Sequence, residues 1–279
     1  MIDLDFIGNL TAEAGRATLE VYNASLDAEG KDDPSSVTVA GRRAYQIISE
    51  GLRSTYPDIP VLSEEGKDIP YSTRMNWPRF WLVNPIDGRD GFLKKTGEFT
   101  VDVALVEGVE PVLGAIYLPA RGLLYMAAKG AGCWRMADGV KQSLKVSAPS
   151  AEKPVRVMIS RSDTSTDTIV LIGFLPRCVT LSRSSALKFC AIAAGETDFY
   201  PRLDATWEWD TAAGQVIVIE AGGVMTGLKG EPFTYNKPDL LNGPFLVGPS
   251  LEWLKEIDIL DCQERIANAE IEFEATSCR

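Results

Sequence analysis

FWLVNPIDGRDGF, residues 80–92, is the segment that decides the fold of this chain. It begins with an apolar run of strand length, continues through a polar turn that contains a proline and a glycine, and ends in an apolar aromatic segment. This order predicts a turn at the mouth of a sheet. In that turn Asp87 is a hard oxygen ligand, Asn84 is a neutral one, and the peptide N–H groups after Gly88 can face an anion if a short helix begins there. The segment favours a metal-assisted phosphate site, although a strand-to-loop corner whose aspartate caps a helix would use the same residues.

Length and charge set limits on the function. The chain has 279 residues, of which 45% are hydrophobic and 24% are charged, as in ordinary globular proteins. This length is enough for a large core in one or two domains. The net charge of −11 argues against a general nucleic-acid-binding surface, because nothing offsets phosphate repulsion globally. A small phosphate ligand can still bind through a metal and local cations.

The chain contains no histidine. This absence excludes a Ser-His-Asp hydrolase, a histidine-ligated zinc site and a phosphohistidine mechanism. Any hydrolysis must therefore depend on carboxylates, hydroxyls and a metal ion.

The cysteines and the N terminus indicate a cytoplasmic protein. The cysteines are an odd number without a CxxC pair, so we expect reduced thiols. They are Cys133, Cys178, Cys190, Cys262 and Cys278. The first residues lack the basic and apolar pattern of a signal peptide, and no stretch is apolar for long enough to span a bilayer.

The first half of the chain is predicted to form two helices and then a sheet. Apolar residues recur at spacings of three and four over the first two dozen residues, which is typical of an amphipathic helix. A polar loop over residues 29–36 precedes a second helix, which begins at Val37 and has Gly41 in its first turns. A short strand over residues 59–63 then leads into Glu64, and an acid at a strand exit is a candidate ligand. Further strands of an antiparallel meander are predicted over residues 98–107, 112–118 and 123–128, followed by a hairpin over 129–142 and a strand over 143–146.

Residues 147–154 form the best linker in the sequence, and strands and helices alternate beyond it. Two strands are predicted over residues 155–159 and 245–248, and another strand leads into residues 199–202. Helices are predicted over residues 185–194, 209–220 and 251–257. Asp210 is placed as the N-cap of the middle of these three helices. We therefore expect an N-terminal α+β domain over residues 1–150, a C-terminal α/β domain over 151–260 and a peripheral tail over 261–279.

Four dispersed pieces of sequence carry a resemblance to a known family. They are LSEE at 62–65, WLVNPIDG at 81–88, GEFTV at 97–101 and EWDTAAG at 208–214. In their order and spacing the chain resembles the inositol monophosphatase family over roughly residues 3–257. More narrowly, it resembles the 3'(2'),5'-bisphosphate nucleotidases of sulfur assimilation, through a KxDxSxVT pattern at 31–38, KKTGEFTV at 94–101, SRS at 160–162, SALKFC at 185–190 and YPR at 200–202.

The resemblance implies a layered αβαβα sandwich, an α+β or α/β fold of the inositol monophosphatase and fructose-1,6-bisphosphatase type. It implies a site between two halves in which Mg²⁺ and an activated water hydrolyse a phosphomonoester. The metal ligands fall on the side chains of Glu64, residue 84, Asp87 and Asp210 and on the carbonyl of Ile86. Glu64 and Asp87 carry the catalytic role, with Glu64 as both ligand and water activator.

Three positions depart from the family pattern. Asn84 stands where the family has Asp, Arg89 where it has Thr, and Gly41 where it has Asp. A neutral amide oxygen is a poor bridge between two dications, a glycine cannot accept a proton, and an arginine replaces a hydroxyl with a fixed cation. Glu64, Asp87 and Asp210 keep three negative charges of the family's five, and Arg89 reduces the sum to −2, which compensates one divalent ion at best. We therefore expect weak or single-site Mg²⁺ binding and impaired hydrolysis, with Arg89 paired to Asp87, Asp90 or Glu64 or in contact with a phosphate.

Ligand recognition is less affected by these departures. Cations and hydroxyls are expected to hold the non-reacting phosphate, and the turn after residue 87 to hold the reacting one. The predicted substrate-binding residues are Gly88, Arg89, Asp90, Ser160, Arg161, Ser185, Lys188 and Arg202. Gln215 stands where this branch often has His, which fits the histidine-free chain.

Three functions remain open at this point. The first is an Mg²⁺-dependent phosphatase that removes the 3'-phosphate of adenosine 3',5'-bisphosphate or its sulfated relative, with reduced activity. The second is a catalytically silent nucleotide-binding protein or partner subunit. The third is an inositol monophosphatase or another sugar-phosphate phosphatase. Homodimers are common in such families, but the sequence identifies no interface.

Overall fold

The computed structural model describes residues 2–27, 34–66 and 69–268. The first two helices are α1, Leu4–Asp27, and α2, Pro34–Thr55. Helix α2 begins at Pro34, so residues 34–36, expected in a loop, are helical. The rest of that predicted loop, residues 29–33, and with it the first three residues of the KxDxSxVT pattern lie outside the described residues.

A seven-stranded sheet follows the first two helices, and its strands are ordered as in the sequence. They are β1, Val61–Ser63; β2, Arg79–Asp87; β3, Thr100–Glu107; β4, Glu110–Leu118; β5, Leu123–Ala128; β6, Gly132–Ala137; and β7, Val140–Ser143. Strand β1 runs parallel to β2, and the remaining pairs are antiparallel, so the predicted meander is confirmed. The strand expected over 143–146 was wrong, because β7 ends at Ser143. Two short helices, α3, Tyr71–Arg74, and α4, Arg89–Leu93, flank β2.

The second half contains a smaller mixed sheet. Its strands are β8, Val155–Ser160; β9, Cys178–Arg183; β10, Tyr200–Arg202; β12, Val224–Thr226; and β14, Phe245–Gly248, while β11, Thr206–Trp207, pairs with β13, Leu241–Asn242. A bridge between Val157 and Phe199 joins the β8–β9 pair to the three strands β10, β14 and β12. The helices of this half are α5, Thr166–Gly173; α6, Leu187–Ala193; α7, Glu208–Glu220; and α8, Leu251–Glu256.

The helices and sheets stack in five layers. One face of the large sheet packs Trp81 and Val83 against α1 and α2, because alternate residues of a strand face opposite sides. Its other face packs Leu82 and Ala104 against α6 and α7. The smaller sheet covers those helices and packs Phe199 on its far side against α5 and α8. The expected αβαβα sandwich is confirmed.

Two glycines set the closeness of these layers. A Cβ atom added at Gly114 in β4 would lie 2.6 Å from the carbonyl oxygen of Ala213 in α7. A Cβ atom at Gly214 would lie 2.4 Å from the ring of Phe189 in α6. The small residues at 212–214 therefore allow α7 to lie against both the large sheet and α6.

The last described residues pack on the second half of the chain. Cys262 and Ile266 are buried in the core formed with α5 and α8. The beginning of the segment that we expected to be peripheral is therefore part of this core. The other end of that segment lies outside the described ranges.

Two further expectations concern the thiols and the membrane. Cys133, Cys178, Cys190 and Cys262 are free thiols in the described part of the chain. Among the helices of the same part, none combines the length and the hydropathy that a bilayer crossing requires.

Candidate active site

Strand β2 ends in an irregular turn at the edge of the sheet, as predicted. Its pairing with β3 shifts register between Asn84 and Asp87. Gly88 then adopts φ 83°, and a Cβ atom there would lie 2.7 Å from the carbonyl oxygen of Glu98. Only glycine fits such a left-handed and crowded position without strain. Helix α4 begins at the next residue, so the predicted short helix after Gly88 is confirmed.

A cavity of about 420 Å³ opens next to this turn, between the two halves of the chain. Its volume falls in the usual range for small-molecule sites. The predicted site residues that line it are Asp87, Gly88, Arg89, Asp90, Ser160, Ser185, Lys188, Arg202 and Asp210. The predicted site residues that do not line it are Glu64, Asn84, Ile86 and Arg161.

Glu64 lies beside the cavity and is paired with Arg89. It follows β1 in a single 3₁₀ turn, and because β1 and β2 are parallel, both strands end at the same edge of the sheet. The Arg89 Nη2 atom donates to Glu64 Oε1 at 2.9 Å. Of the three carboxylates that we considered as partners of Arg89, the structure selects Glu64.

Asn84 is buried and binds Asp210. Its Nδ2 atom donates to Asp210 Oδ1 at 2.9 Å, and its Oδ1 atom accepts the N–H of Ile86 at 3.3 Å. The amide therefore presents its NH₂ group, and not its oxygen, to the carboxylate at the site.

Asp210 is the third residue of α7, so its prediction as the N-cap was wrong. The residue before the helix is Trp207, and its backbone N–H donates to Asp210 Oδ2 at 2.7 Å. A carboxylate at the third helical position can reach back to the N-cap backbone in this way. This bond directs the Asp210 carboxylate toward the end of β2.

Burial and mutual repulsion weaken the acidity of the two cavity carboxylates. Burial, followed by the nearby charge of Asp87, raises the pKa of Asp210 to about 8. Burial also raises the pKa of Asp87, although Lys188 and the N–H groups of Ala186 and Gly88 oppose the rise. Burial lowers the pKa of Lys188, with Asp87 opposing. The site holds more buried negative charge than its own cations neutralise.

Asp102 is a buried carboxylate that the sequence analysis missed. It lies in β3 directly opposite Asn84 and is 2% exposed. Neither of its carboxylate oxygens has a hydrogen-bond partner among the described residues, and the nearby hydroxyl of Thr100 is also without one. Burial, followed by the charge of Asp87, raises the pKa of Asp102 well above its usual value. The pairing of residues 84 and 102 depends on strand register, which the sequence does not state.

Gly41 lies beside the end of β2. A Cβ atom added there would lie 3.2 Å from Ile86 Cγ2 and 3.5 Å from Glu65 Oε1. A side chain at position 41 would therefore point toward the turn at the edge of the site. Because residue 41 is a glycine, it places no carboxylate in this space, as the sequence indicated.

The basic groups of the cavity are partly engaged within the chain. The Nζ atom of Lys188 donates to the carbonyl oxygen of Ser185 at 2.8 Å. Arg202 donates to Ser160 Oγ and to Asp163 Oδ2, each at 2.7 Å. Ser185 has φ 56°, and its buried hydroxyl has no hydrogen-bond partner among the described residues. Asp163 reduces the charge that Arg202 offers to a phosphate.

Arg161 is bound to Glu98 outside the cavity. Its Nε and Nη2 atoms each lie 2.8 Å from a carboxylate oxygen of Glu98, which also accepts the N–H of Ser184 at 2.9 Å. Its assignment as a ligand-binding residue therefore has no support in its position. Through these contacts Glu98, in the loop before β3, is tied to Arg161 and to the loop that carries Ser184 and Ser185.

The further lining residues, which were not predicted as site residues, include Asp163, Tyr200 and Trp207. The side chain of Trp207 is 39% exposed, and its ring stacks on that of Trp209 with centroids 5.1 Å apart and planes inclined by 11°. The EWDTAAG segment signals the helix but not the aromatic residue before it. Gln215 lies away from the cavity, where it accepts the hydroxyl of Tyr235 at 2.9 Å.

The buried carboxylates at the site have the charge that a divalent cation requires. Within residues 2–27, 34–66 and 69–268, no three acidic or cysteine side chains already form a metal-binding cluster. Two of the predicted ligands are engaged within the chain, since Arg89 binds Glu64 and Asn84 binds Asp210. However, Asp87, Asp102 and Asp210 are buried acids with raised pKa values, and a bound cation would relieve that condition.

Comparisons with known proteins agree with this fold. Residues 4–257 match the inositol monophosphatase family. The chain is 40% identical over 248 residues to the 3'(2'),5'-bisphosphate nucleotidase CysQ of Salmonella typhimurium, which covers 88% of this chain and 98% of that protein. A crystal structure of CysQ from Bacteroides thetaiotaomicron superposes with a TM-score of 0.75 at 34% identity, over 86% of this chain and 94% of that one. Staphylococcal IMPase-II superposes with a TM-score of 0.76 at 25% identity, over 97% and 96%.

Proposed function

Because the chain belongs to the inositol monophosphatase family, we propose that it is an Mg²⁺-dependent phosphomonoesterase of the 3'(2'),5'-bisphosphate nucleotidase type whose hydrolysis is slowed by Gly41, Asn84 and Arg89. The observation that carries the proposal is the cavity, which brings the acids Asp87 and Asp210 together with the cations Lys188 and Arg202. The likeness to nucleotidases over nearly the whole chain supports the substrate class.

Each side chain has a role that its position supports. Asp87 and Asp210 would hold Mg²⁺, which when bound offsets charge on the phosphoryl oxygens and lowers the pKa of the attacking water. The N–H groups at the start of α4 have no acceptor within the helix and can bind the reacting phosphate. Lys188 and Arg202 would bind the second phosphate of a bisphosphate substrate, and the free hydroxyl of Ser185 would donate to it.

Trp207 supports a nucleotide over inositol phosphate. It is a partly exposed indole at the cavity, and its stacking on Trp209 fixes its plane. Aromatic side chains bind bases by stacking, which is worth about 1–3 kcal/mol per base. Inositol has no π-face to stack on it. A Trp207→Ala variant should raise KM for adenosine 3',5'-bisphosphate about tenfold or more and leave KM for inositol phosphate unchanged.

The contact between Arg89 and Glu64 favours a second candidate, a nucleotide-binding homologue that does not hydrolyse its ligand. The proposed water activator is bound by a cation of the chain itself, and position 41 offers no carboxylate in its place. In this case ligand binding persists and phosphate release does not occur.

A phosphate-release assay with Mg²⁺ or Mn²⁺ distinguishes these functions. The substrates are adenosine 3',5'-bisphosphate, its sulfated relative, AMP and inositol phosphate. We expect slow release from the bisphosphates and at least a tenfold faster rate in the variant Gly41→Asp, Asn84→Asp, Arg89→Thr. Binding by calorimetry without phosphate release from the native chain would select the second candidate. Faster turnover of inositol phosphate than of the bisphosphates would reject the nucleotide assignment.

A further inference from the structure

Asn84 and Asp102 are opposite one another on adjacent strands. Directly paired residues of antiparallel strands lie on the same face of the sheet, about 4.5–5.5 Å apart at their Cβ atoms. Their neighbours in the same register, Leu82 and Ala104, face α6 and α7. Asn84 reaches Asp210 on α7 from this face. Asp102 therefore lies on the side of the sheet that holds the cavity acids.

The Asp102 carboxylate is buried, and in the described part of the chain only the hydroxyl of Thr100 and the charge of Lys188 oppose the rise in its pKa. It is 2% exposed, and both of its oxygens lack a hydrogen bond. An uncompensated buried carboxylate is costly, so such groups are normally paired or coordinate a metal. The ionisable groups that act on it are Asp87, Asp210 and Lys188, all of which line the cavity. It thus belongs electrostatically to the cavity, although its own side chain lies beneath the lining.

We propose that Asp102 supplies the metal-binding carboxylate that position 84 lacks, so that Asp87, Asp102 and Asp210 bind one divalent cation while Asn84 orients Asp210. This inference rests on the proposed function, because it assigns a further ligand to the same Mg²⁺ site. Carboxylate oxygens are the protein ligands that Mg²⁺ prefers. The carboxylate that position 84 lacks is thus present on the adjacent strand, at the position opposite it.

The charges support one ion. Glu64, Asp87 and Asp210 carry three negative charges, and Arg89 and Lys188 reduce the sum to −1. Asp102 brings it to −2, which one divalent cation neutralises. The contacts of Asn84 agree, since its amide is used by Asp210 and Ile86 and leaves Asp102 unpaired. If Asp102 had a structural role only, we would expect it to accept a hydrogen bond from the Asn84 amide opposite it.

The alternative is a neutral, protonated Asp102 that has no role in metal binding. The two cases differ in what Asp102→Asn does to the protein without and with metal. If Asp102 is a ligand, the variant removes repulsion from the metal-free protein and also removes an oxygen from the ion. If Asp102 is neutral, the amide is nearly isosteric, and the variant should match the native chain in metal affinity and in the rise of Tm with metal concentration.

The test measures Mg²⁺ and Mn²⁺ binding to the full chain by calorimetry, together with the rise in Tm on adding either ion. We expect Asp102→Asn to weaken binding at least tenfold, to reduce the metal-induced rise in Tm at a given metal concentration and to raise the metal-free Tm. The double variant Asn84→Asp, Asp102→Asn should restore binding to within about threefold of the native chain, because it returns the acid to the opposite strand. Glu107→Gln, which removes a charge at the exposed far end of the same strand, is the matched control and should change nothing.

The outcomes separate this inference from the proposed function. Native Mg²⁺ affinity in Asp102→Asn overturns the inference, and phosphate release by the native chain would still support the phosphatase. Loss of binding in Asp102→Asn with recovery in the double variant supports the inference even if the native chain releases no phosphate. Absence of Mg²⁺ and Mn²⁺ binding by the native chain at millimolar concentration overturns it as well. The metal-free Tm of each variant reports whether it folds.

Discussion

The guanidinium of Arg89 lies 2.9 Å from the carboxylate of Glu64. A carboxylate at the edge of the site is therefore already paired with a cation of the chain itself. The two side chains are 48% and 29% exposed, and an ion pair with this exposure is partly screened by solvent and salt. It is therefore a contact that a single substitution can release without unfolding the protein.

Arg89→Ala should bind Mg²⁺ about tenfold more tightly, which corresponds to about 1.4 kcal/mol. The substitution removes a positive charge near the ion and frees Glu64. Arg89→Lys, which keeps the charge, should show no such gain. Calorimetric titration with Mg²⁺ at low and high salt measures both variants, and the gain should shrink as salt increases. Equal affinities of the alanine and lysine variants would show that the charge of Arg89 does not oppose the metal.

Glu98 should stabilise the protein in a pH-dependent way. Burial alone would raise the pKa of Glu98, but the hydrogen bonds from Arg161 and Ser184 outweigh burial and lower it. A lowered pKa stabilises the folded state above the unfolded value of about 4.3, and this contribution is lost as pH falls through the folded pKa.

Glu98→Gln should therefore reduce the free energy of unfolding by about 2 kcal/mol at pH 7. The difference from the native chain should decline below about pH 4, as the native carboxylate protonates. Urea denaturation at a series of pH values measures it, with Glu107→Gln as the exposed control on β3. A difference that stays constant with pH would mean that the ionised form of Glu98 is not what stabilises the two loops.

Lys188 should discriminate a bisphosphate from a monophosphate. It is a buried cation of the cavity, 6% exposed, and lies near Asp87 and Arg202. Lys188→Gln should weaken binding of adenosine 3',5'-bisphosphate at least tenfold and binding of AMP by less, because the second phosphate loses its buried counter-charge. Calorimetry with both nucleotides tests this. Arg183→Gln, outside that cavity, is the control, and equal losses for the two nucleotides would argue against a second-phosphate site at Lys188.

Asp198 should matter for stability and not for ligand binding. It is 4% exposed and accepts hydrogen bonds from Ser147 Oγ at 2.6 Å and from the backbone and guanidinium of Arg156. Asp198→Asn should reduce the free energy of unfolding by about 2–4 kcal/mol, while nucleotide affinity at 25 °C stays native. Thermal denaturation and calorimetry measure the two effects, and a parallel loss of affinity would connect this linker contact to the site.

The layers of the fold were predicted through the resemblance to a known family, and the turn after β2 was predicted from the residues themselves, because an apolar run followed by proline and glycine is a local signal. Of the three departures, Asn84 lies within the WLVNPIDG segment and Arg89 follows it directly, whereas Gly41 lies in the second helix beyond the quoted segments. The pairing of Arg89 with Glu64, from among three acids, required the side-chain geometry.

What the sequence could not provide are relationships set by register and by layer packing. Asp102 stands in an ordinary alternating strand, and its importance appears only when β3 is aligned with Asn84. Arg161 belongs to a motif that resembles a ligand site, yet Glu98, in the loop before β3, binds it. Asp210 was assigned to the wrong helical position because the start of α7 depends on Trp207, which carries no capping side chain.

Gly114 gives the catalytic geometry a remote constraint. The strand that contains it has no cavity residue, but its backbone touches that of α7 at Ala213. Any side chain at position 114 would act as a wedge between sheet and helix and would move Asp210 away from Asp87 and Asp102. Substitution at this position is thus restricted by the alignment of the acids. A variant there can remain folded while Asp210, on α7, no longer lies next to the acids of the large sheet.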